Sequence, residues 1–275
     1  MEPIKTIVKS GKYKFQITDN TLLYGGQIYS RNFKIGSIGA ECVDISISYK
    51  DNSPTNASIL PNYPDYSNEI QFDRGHCYAA MVRALLSHIH TQIPTITEVE
   101  FDDQSNIECE EDDNPTILLY YFSIAFNGET WYEKHFNARQ KDSNKHSEYK
   151  TRINTMLNEP ETKSAIPFLK FLQMTAPPSE IVEELRGYYE RAETFGSFFQ
   201  SIPKEDRCRL VRDWIGVFVS SQLKGVFNNS DWIIDIPTLI NGGGKRNTRK
   251  RYYCPKCRVY RNTTYKDIGI DVMDV

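Results

Sequence analysis

The residues with the most chemistry to offer lie between Phe72 and Ala138. The pattern predicts a strand around 69–73 and a helix from Gly75 to His90. Such a junction turns the unsatisfied backbone N–H groups and the positive dipole end of the helix outward, which suits an anion such as a pyrophosphate. The junction reads Arg74-Gly75-His76-Cys77-Tyr78-Ala79. Arg74 and His76 add charge, while Cys77 and Ala79 are small enough for close approach; the bland reading is an ordinary turn and helix start. A second candidate is Cys254-Pro255-Lys256-Cys257, which supplies two of the four ligands that tetrahedral zinc wants. Cys208, a histidine or a second copy of the chain would have to complete that set. The alternative is two free thiols in a basic tail.

The tail itself carries eight basic residues and no acid between Lys245 and Arg261, with Tyr252, Tyr253 and Tyr260 among them. Charge interleaved with aromatics suits a nucleic-acid backbone with stacking, or an acidic protein partner. A localisation or solubilising tail is the plainer reading. His88 and His90, two apart on one helix, cannot share a metal there and are expected at the surface. The acidic run Glu108–Asp113 lacks the ligand spacing of a calcium loop and reads as solvated.

Between Arg74 and Ala138 the chain resembles the acetyl-CoA-binding half of GNAT-type N-acetyltransferases. Those proteins carry a Gln/Arg-x-x-Gly-x-Gly/Ala loop between a strand and a long helix, matched here by Arg74 to Ala79. The next strand of the family ends in a polar stretch, here Asp102-Asp103-Gln104-Ser105-Asn106. A closing Leu-Tyr-Glu-Lys-x-Gly-Phe motif is matched by Trp131-Tyr132-Glu133-Lys134-His135-Phe136. The resemblance implies that the backbone from Cys77 to Ala79, with Arg74, grips the pyrophosphate of acetyl-CoA. It also implies that Ser105 and Asn106 lie near the cofactor and that Tyr132 protonates the leaving thiolate. Cys77 departs from the family by replacing the central glycine, and His135-Phe136 replaces x-Gly-Phe. Glu41, Asp44 or a water are the candidates for general base. The rival reading is a non-enzymatic binding or structural protein that works through the basic tail.

The elements that would position these groups follow from periodicity. Tyr13, Phe15 and Ile17 alternate with polar residues, as do Val43, Ile45, Ile47 and Tyr49, which predicts strands wet on one face. Gly25-Gly26, Gly36 and Gly39 mark turns or bulges. Residues 51–68 read as loop with a short strand near Ile59. Val82, Leu85, Leu86 and Ile89 make a helical stripe, and Val99 and Phe101 a strand. Thr116 to Phe126 reads as a buried helix, and 131–136 as a short amphipathic one. Helices are further expected over 145–157 and 166–174. Another follows from Ser179 as N-cap, with the stripe Ile181, Leu185, Tyr188, Ala192 and Phe195. Val211, Trp214, Ile215 and Phe218 make a last stripe.

The sum is an α/β (α+β) fold with a GNAT-like mixed sheet and flanking helices over 1–140. A helical region follows over 141–240, then a Gly242–Gly244 linker and a basic tail over 241–275. At 275 residues, 39% hydrophobic and 12% aromatic, the chain has material for a sizeable core, which excludes wholesale disorder. With 33 basic and 36 acidic residues the net charge is −3, so a nucleic-acid role needs a local patch. No run is apolar and long enough to span a membrane. The N-terminus lacks the apolar core of a signal peptide. Six scattered cysteines therefore read as reduced thiols in an intracellular protein.

Overall fold

The structure, a computed structural model, describes residues 2–10, 13–37, 40–60, 74–109 and 116–241. In chain order the elements begin with β1 (Ile4–Ser10), β2 (Tyr13–Tyr24), β3 (Gln27–Ser37), β4 (Ala40–Lys50), β5 (Ser53–Leu60), α1 (Arg74–Gln92) and β6 (Glu98–Phe101). Next come β7 (Asn106–Glu108), β8 (Thr116–Leu118), α2 (Leu119–Asn127), α3 (Trp131–Phe136), β9 (Arg139–Gln140), α4 (Ser143–Asn158), α5 (Pro160–Ser164) and α6 (Phe168–Thr175). The chain closes with α7 (Val182–Arg191), α8 (Phe195–Ser201), α9 (Arg207–Val211), α10 (Ile215–Gln222), β10 (Trp232–Asp235) and α11 (Ile236–Asn241). The described residues divide into two compact units, one within 2–102 together with 233–241 and the other within 103–232.

The first unit is mixed α/β. Its sheet runs β1-β2-β3-β4-β5-β6-β10, antiparallel through β5 and then parallel between β5 and β6. Alternation dictates which face is dry. Phe15 and Ile17 of β2, Phe33 and Ile35 of β3, and Ile45 and Ile47 of β4 are fully buried. The α1 stripe Val82, Leu85, Leu86 and Ile89 is buried as completely, and α1 packs on β3 and β4. Burying one such side chain contributes about 1.5–3 kcal/mol. Gly25 and Gly26 turn β2 into β3 with φ of 60° and 81°, conformations that cost side-chain-bearing residues dearly. Residues 53–60 form a full strand where loop with only a short strand near Ile59 was expected. β5 pairs with β4 from Ser53 to Leu60 while burying only Ala57, so its ladder bonds hold it and leave little hydrophobic pattern to read.

The second unit is mainly helical. The apolar run from Thr116 divides: Thr116–Leu118 pairs with β7, and Leu119 starts α2, its N–H donating to the Ser105 carbonyl. Gly128, with φ of 73°, ends α2. Ser179 opens a 3-10 turn without acting as an N-cap. The predicted continuous stripe from Ile181 breaks after α7 and restarts at Thr194, which caps α8 through Ser197. Tyr189 is buried where Tyr188 was expected. Around Trp214 gather Phe171, Phe198, Phe199 and Phe218, all with no exposed surface. The Trp214 indole N–H reaches the Leu210 carbonyl at 2.6 Å, so its one polar atom is satisfied.

Cys109 and Cys208 form a disulfide, with Cα atoms 5.7 Å apart. The expectation of reduced thiols fails for this pair, because folding brings two distant residues of the second unit into bonding range. Closing a loop with a sequence separation of 99 stabilises by about 4–5 kcal/mol in the chain-entropy account. Among the described residues no helix is long and apolar enough to cross a membrane.

Two outcomes follow for stability. A Cβ at Gly196 would lie 2.6 Å from the Leu157 carbonyl oxygen, a backbone atom that cannot step aside. Gly196→Ala therefore lowers unfolding free energy by about 1–3 kcal/mol in a urea titration. Cys208→Ser lowers the urea midpoint further still, and added reductant leaves that variant unchanged while lowering the wild type.

Candidate functional site

The first candidate group is the start of α1. Its opening turn, Arg74 to Cys77, contains no acid, which suits an anion at its backbone N–H groups; Asp73, the residue before it, lies outside the described residues. The side chains of residues 74–77 lie outside the described residues, as does the strand expected over 69–73. Tyr78 is half-buried. Ala79 is buried at 7% exposure, beside buried Ala80 and Met81. The small residue expected to admit a phosphate is thus spent on core packing.

The second group lies in the second unit. Tyr132, on α3, is buried, and its hydroxyl meets Ser105 Oγ at 3.4 Å. The structure therefore brings together two residues that the sequence placed 27 apart. Asn106 is exposed at the start of β7, where it pairs with Leu118. Tyr132 and Ser105 belong to one unit and Arg74–Ala79 to the other.

α3 itself is positioned by a buried carboxylate. Thr130 and Glu133 make a capping box: the Glu133 N–H donates to Thr130 Oγ1, and the Thr130 N–H donates to Glu133 Oε2 at 2.7 Å. The same Oε2 accepts the Tyr149 hydroxyl at 2.8 Å, and Oε1 accepts Lys150 Nζ at 2.9 Å. Burial and the neighbouring Glu133 charge push the Tyr149 phenol well above its ordinary pKa. Glu133 thus ties α3 to α4 through its carboxylate. The Thr-x-x-Glu spacing was readable in the sequence as a helix start.

Asp103 is the group that sequence reading passed over within the polar stretch 102–106. It is 1% exposed. Its Oδ1 accepts the Ser105 N–H at 3.2 Å, its own N–H donates to the Asn229 carbonyl, and its Oδ2 is buried with no hydrogen-bond partner. Burial raises its pKa to about 6, against the opposing pull of the Ser105 hydrogen bonds. Tyr120, also buried, has its phenol pushed upward first by burial, then by Tyr121 and the Asp103 charge.

The four histidines whose side chains are described pack against neighbouring groups. His88 is half-buried against Phe33 and His90 contacts the Ile96 carbonyl, so neither is the surface residue expected. Burial lowers the His146 pKa, and its Nδ1 accepts the Gln140 N–H, as a neutral ring does. His135 lies over Trp131. Of the two suggested bases, Asp44 is half-buried with Lys34 Nζ at 3.9 Å, and the Glu41 side chain lies outside the described residues. So do Cys254, Cys257, the basic residues from Lys245 to Arg261 and most of the acidic run. Cys208, offered as a zinc ligand, is committed to Cys109. Among the described residues no three His, Cys, Asp or Glu side chains gather to hold a metal.

No family model, curated protein or solved structure matches this chain.

A consequence for pH follows from Asp103. Its folded pKa, about 6, lies above the unfolded value of about 3.9, so the folded state holds a proton that the unfolded state has lost. Stability therefore falls as pH rises from about 4 to about 6, by roughly 2–3 kcal/mol from this group. Asp103→Asn flattens that slope and raises the thermal midpoint at pH 7, as measured by melts across pH 4–8.

Proposed function

We propose that this chain is a GNAT-type N-acetyltransferase whose acetyl-CoA site lies at the start of α1. The observation that carries the reading is the crossover in the first unit. An antiparallel meander switches, through α1, to a parallel strand, β6, whose register with β5 holds the pair Ser58 and Glu100. In parallel crossovers, ligands bind beyond the carboxyl ends of the strands, where the helix begins. The α1 opening turn, free of acids, fits a pyrophosphate there. Because Ala79 is buried, the contact falls to the backbone N–H groups of residues 74–77. In this reading an amine attacks the thioester carbon and the C–S bond breaks. The resemblance assigns the proton of the departing sulfur to the Tyr132 phenol, which Ser105 hydrogen-bonds, and the proton lost by the amine nitrogen returns through water to the phenolate.

Calorimetry with acetyl-CoA, desulfo-CoA and ATP tests the site. Micromolar binding of both CoA forms and none of ATP supports it; no binding of either CoA form overturns it. Arg74→Glu puts an acid into the opening turn and weakens acetyl-CoA binding about tenfold or more. Tyr132→Phe leaves that binding unchanged and cuts turnover of an accepted amine by about 10²-fold or more. Binding with no turnover of any amine would indicate a descendant that kept the cofactor and lost the chemistry.

A further inference from the structure

We propose that the wet face of the first unit's sheet binds the phosphate backbone of duplex DNA through Lys5, Lys9 and Lys14. The proposal is independent of the acetyl-CoA reading and of the tail.

The face is defined by register. Phe15 and Ile17 of β2 point into the core, so the residues between them and their cross-strand partners lie on the opposite side. The pairs there are Lys9 with Lys14, Ile7 with Gln16, and Lys5 with Thr18, of which Thr18 is itself buried. The three lysines are exposed, as is Ile7 at 51%. From Pro3 to Thr18 the sequence holds four lysines and no acid. Among the described residues no acidic side chain forms an ion pair with Lys5, Lys9 or Lys14; Lys34, two strands in from β1, has Asp44 at 3.9 Å. Like charges directly opposite on neighbouring strands destabilise a sheet. Lys9 facing Lys14 is therefore a cost to folding that a bound polyanion would relieve.

The rest of the face favours a nucleic-acid backbone over an acidic protein. The same side carries Gln16, Asn20, Asn32 and Ser46, all half-exposed; acids on that side, Asp44 and Glu100, lie on β4 and β6, away from the β1–β2 lysines. Lysine with amide and hydroxyl donors is the set that contacts phosphate and sugar. Protein interfaces are depleted in lysine and anchored by aromatic residues, and single strands are held by bases stacked on aromatic rings; on this side of β2 the exposed Tyr24 stands at the far end of the strand from Lys14. Lys5 and Lys9 are four residues apart on one strand, about 13 Å, a span that reaches more than one phosphate.

The test is fluorescence anisotropy of a labelled DNA duplex, titrated across salt concentrations, with the full-length chain. Because the tail offers a competing basic segment, each variant is made in two backgrounds: wild type, and a chain whose basic residues from 245 to 261 are changed to Gln. In both, Lys5→Gln/Lys9→Gln/Lys14→Gln weakens duplex binding about tenfold or more at low salt. It also lowers the slope of log K against log[salt] by about 2–3. The corresponding triple Lys→Arg variant keeps both affinity and slope, which separates lost charge from lost fold. The Gln variant's melting temperature is unchanged or higher, as relief of the Lys9–Lys14 opposition requires. Failure of the tail-neutral chain to bind duplex, equal binding by the Gln variant, or preference for a single strand of the same length would each overturn the proposal.

Discussion

The first unit depends on one constraint: the sheet is dry on the face that α1 covers. Phe15, Phe33, Ile45 and the α1 stripe around Leu85 leave no exposed surface. A slip of one residue between β2 and β3 or between β3 and β4 would exchange this face for a polar one, at a cost of many buried side chains. That penalty fixes the register of the three central strands; β1 and β5, which bury at most one side chain, follow through their ladder bonds, and the β1 ladder sets Lys9 opposite Lys14 and Lys5 opposite Thr18. It also fixes where α1 lies, and hence where its acid-free opening turn begins. The proposed cofactor site and the proposed polyanion face are thus two consequences of one-sided burial.

In the second unit two buried carboxylates have opposite circumstances. Glu133 accepts hydrogen bonds from a backbone N–H, a phenol and an ammonium group, so burial costs it little and its charge ties α3 to α4. Asp103 accepts the Ser105 N–H at Oδ1, and among the described residues its Oδ2 has no partner, so burial favours its protonated form. The first organises the helices that present Tyr132. The second makes that neighbourhood sensitive to pH through Ser105, which both Asp103 and Tyr132 contact. An incompletely satisfied acid beside two tyrosines costs stability that the aromatic core around Trp214 and the Cys109–Cys208 bond offset.

What was legible in the sequence was what nearest neighbours control. Alternation at Phe15 and Ile17 and at Val43 to Ile47 announced β2 and β4, and the stripe at Val82, Leu85, Leu86 and Ile89 announced α1, because a period of two or of 3.6 maps directly onto one buried face. Gly25-Gly26 announced its turn because few other residues tolerate positive φ. The mixed α/β class followed from those elements. Tertiary structure decided the rest. β5 is a strand because β4 offers it a ladder, although its own residues bury little. The stripe after Ile181 breaks at Thr194, where a cap and the close approach of Gly196 to Leu157 outweigh continuous helix. Ser105 and Tyr132, Asp103 and Asn229, and Cys109 and Cys208 meet only through long-range packing, which no local pattern encodes. Residue types and local spacing determine which elements form and which faces are apolar. Which polar atoms end up buried, and with what partners, depends on contacts between residues far apart in the chain, and those exist only once the core has closed.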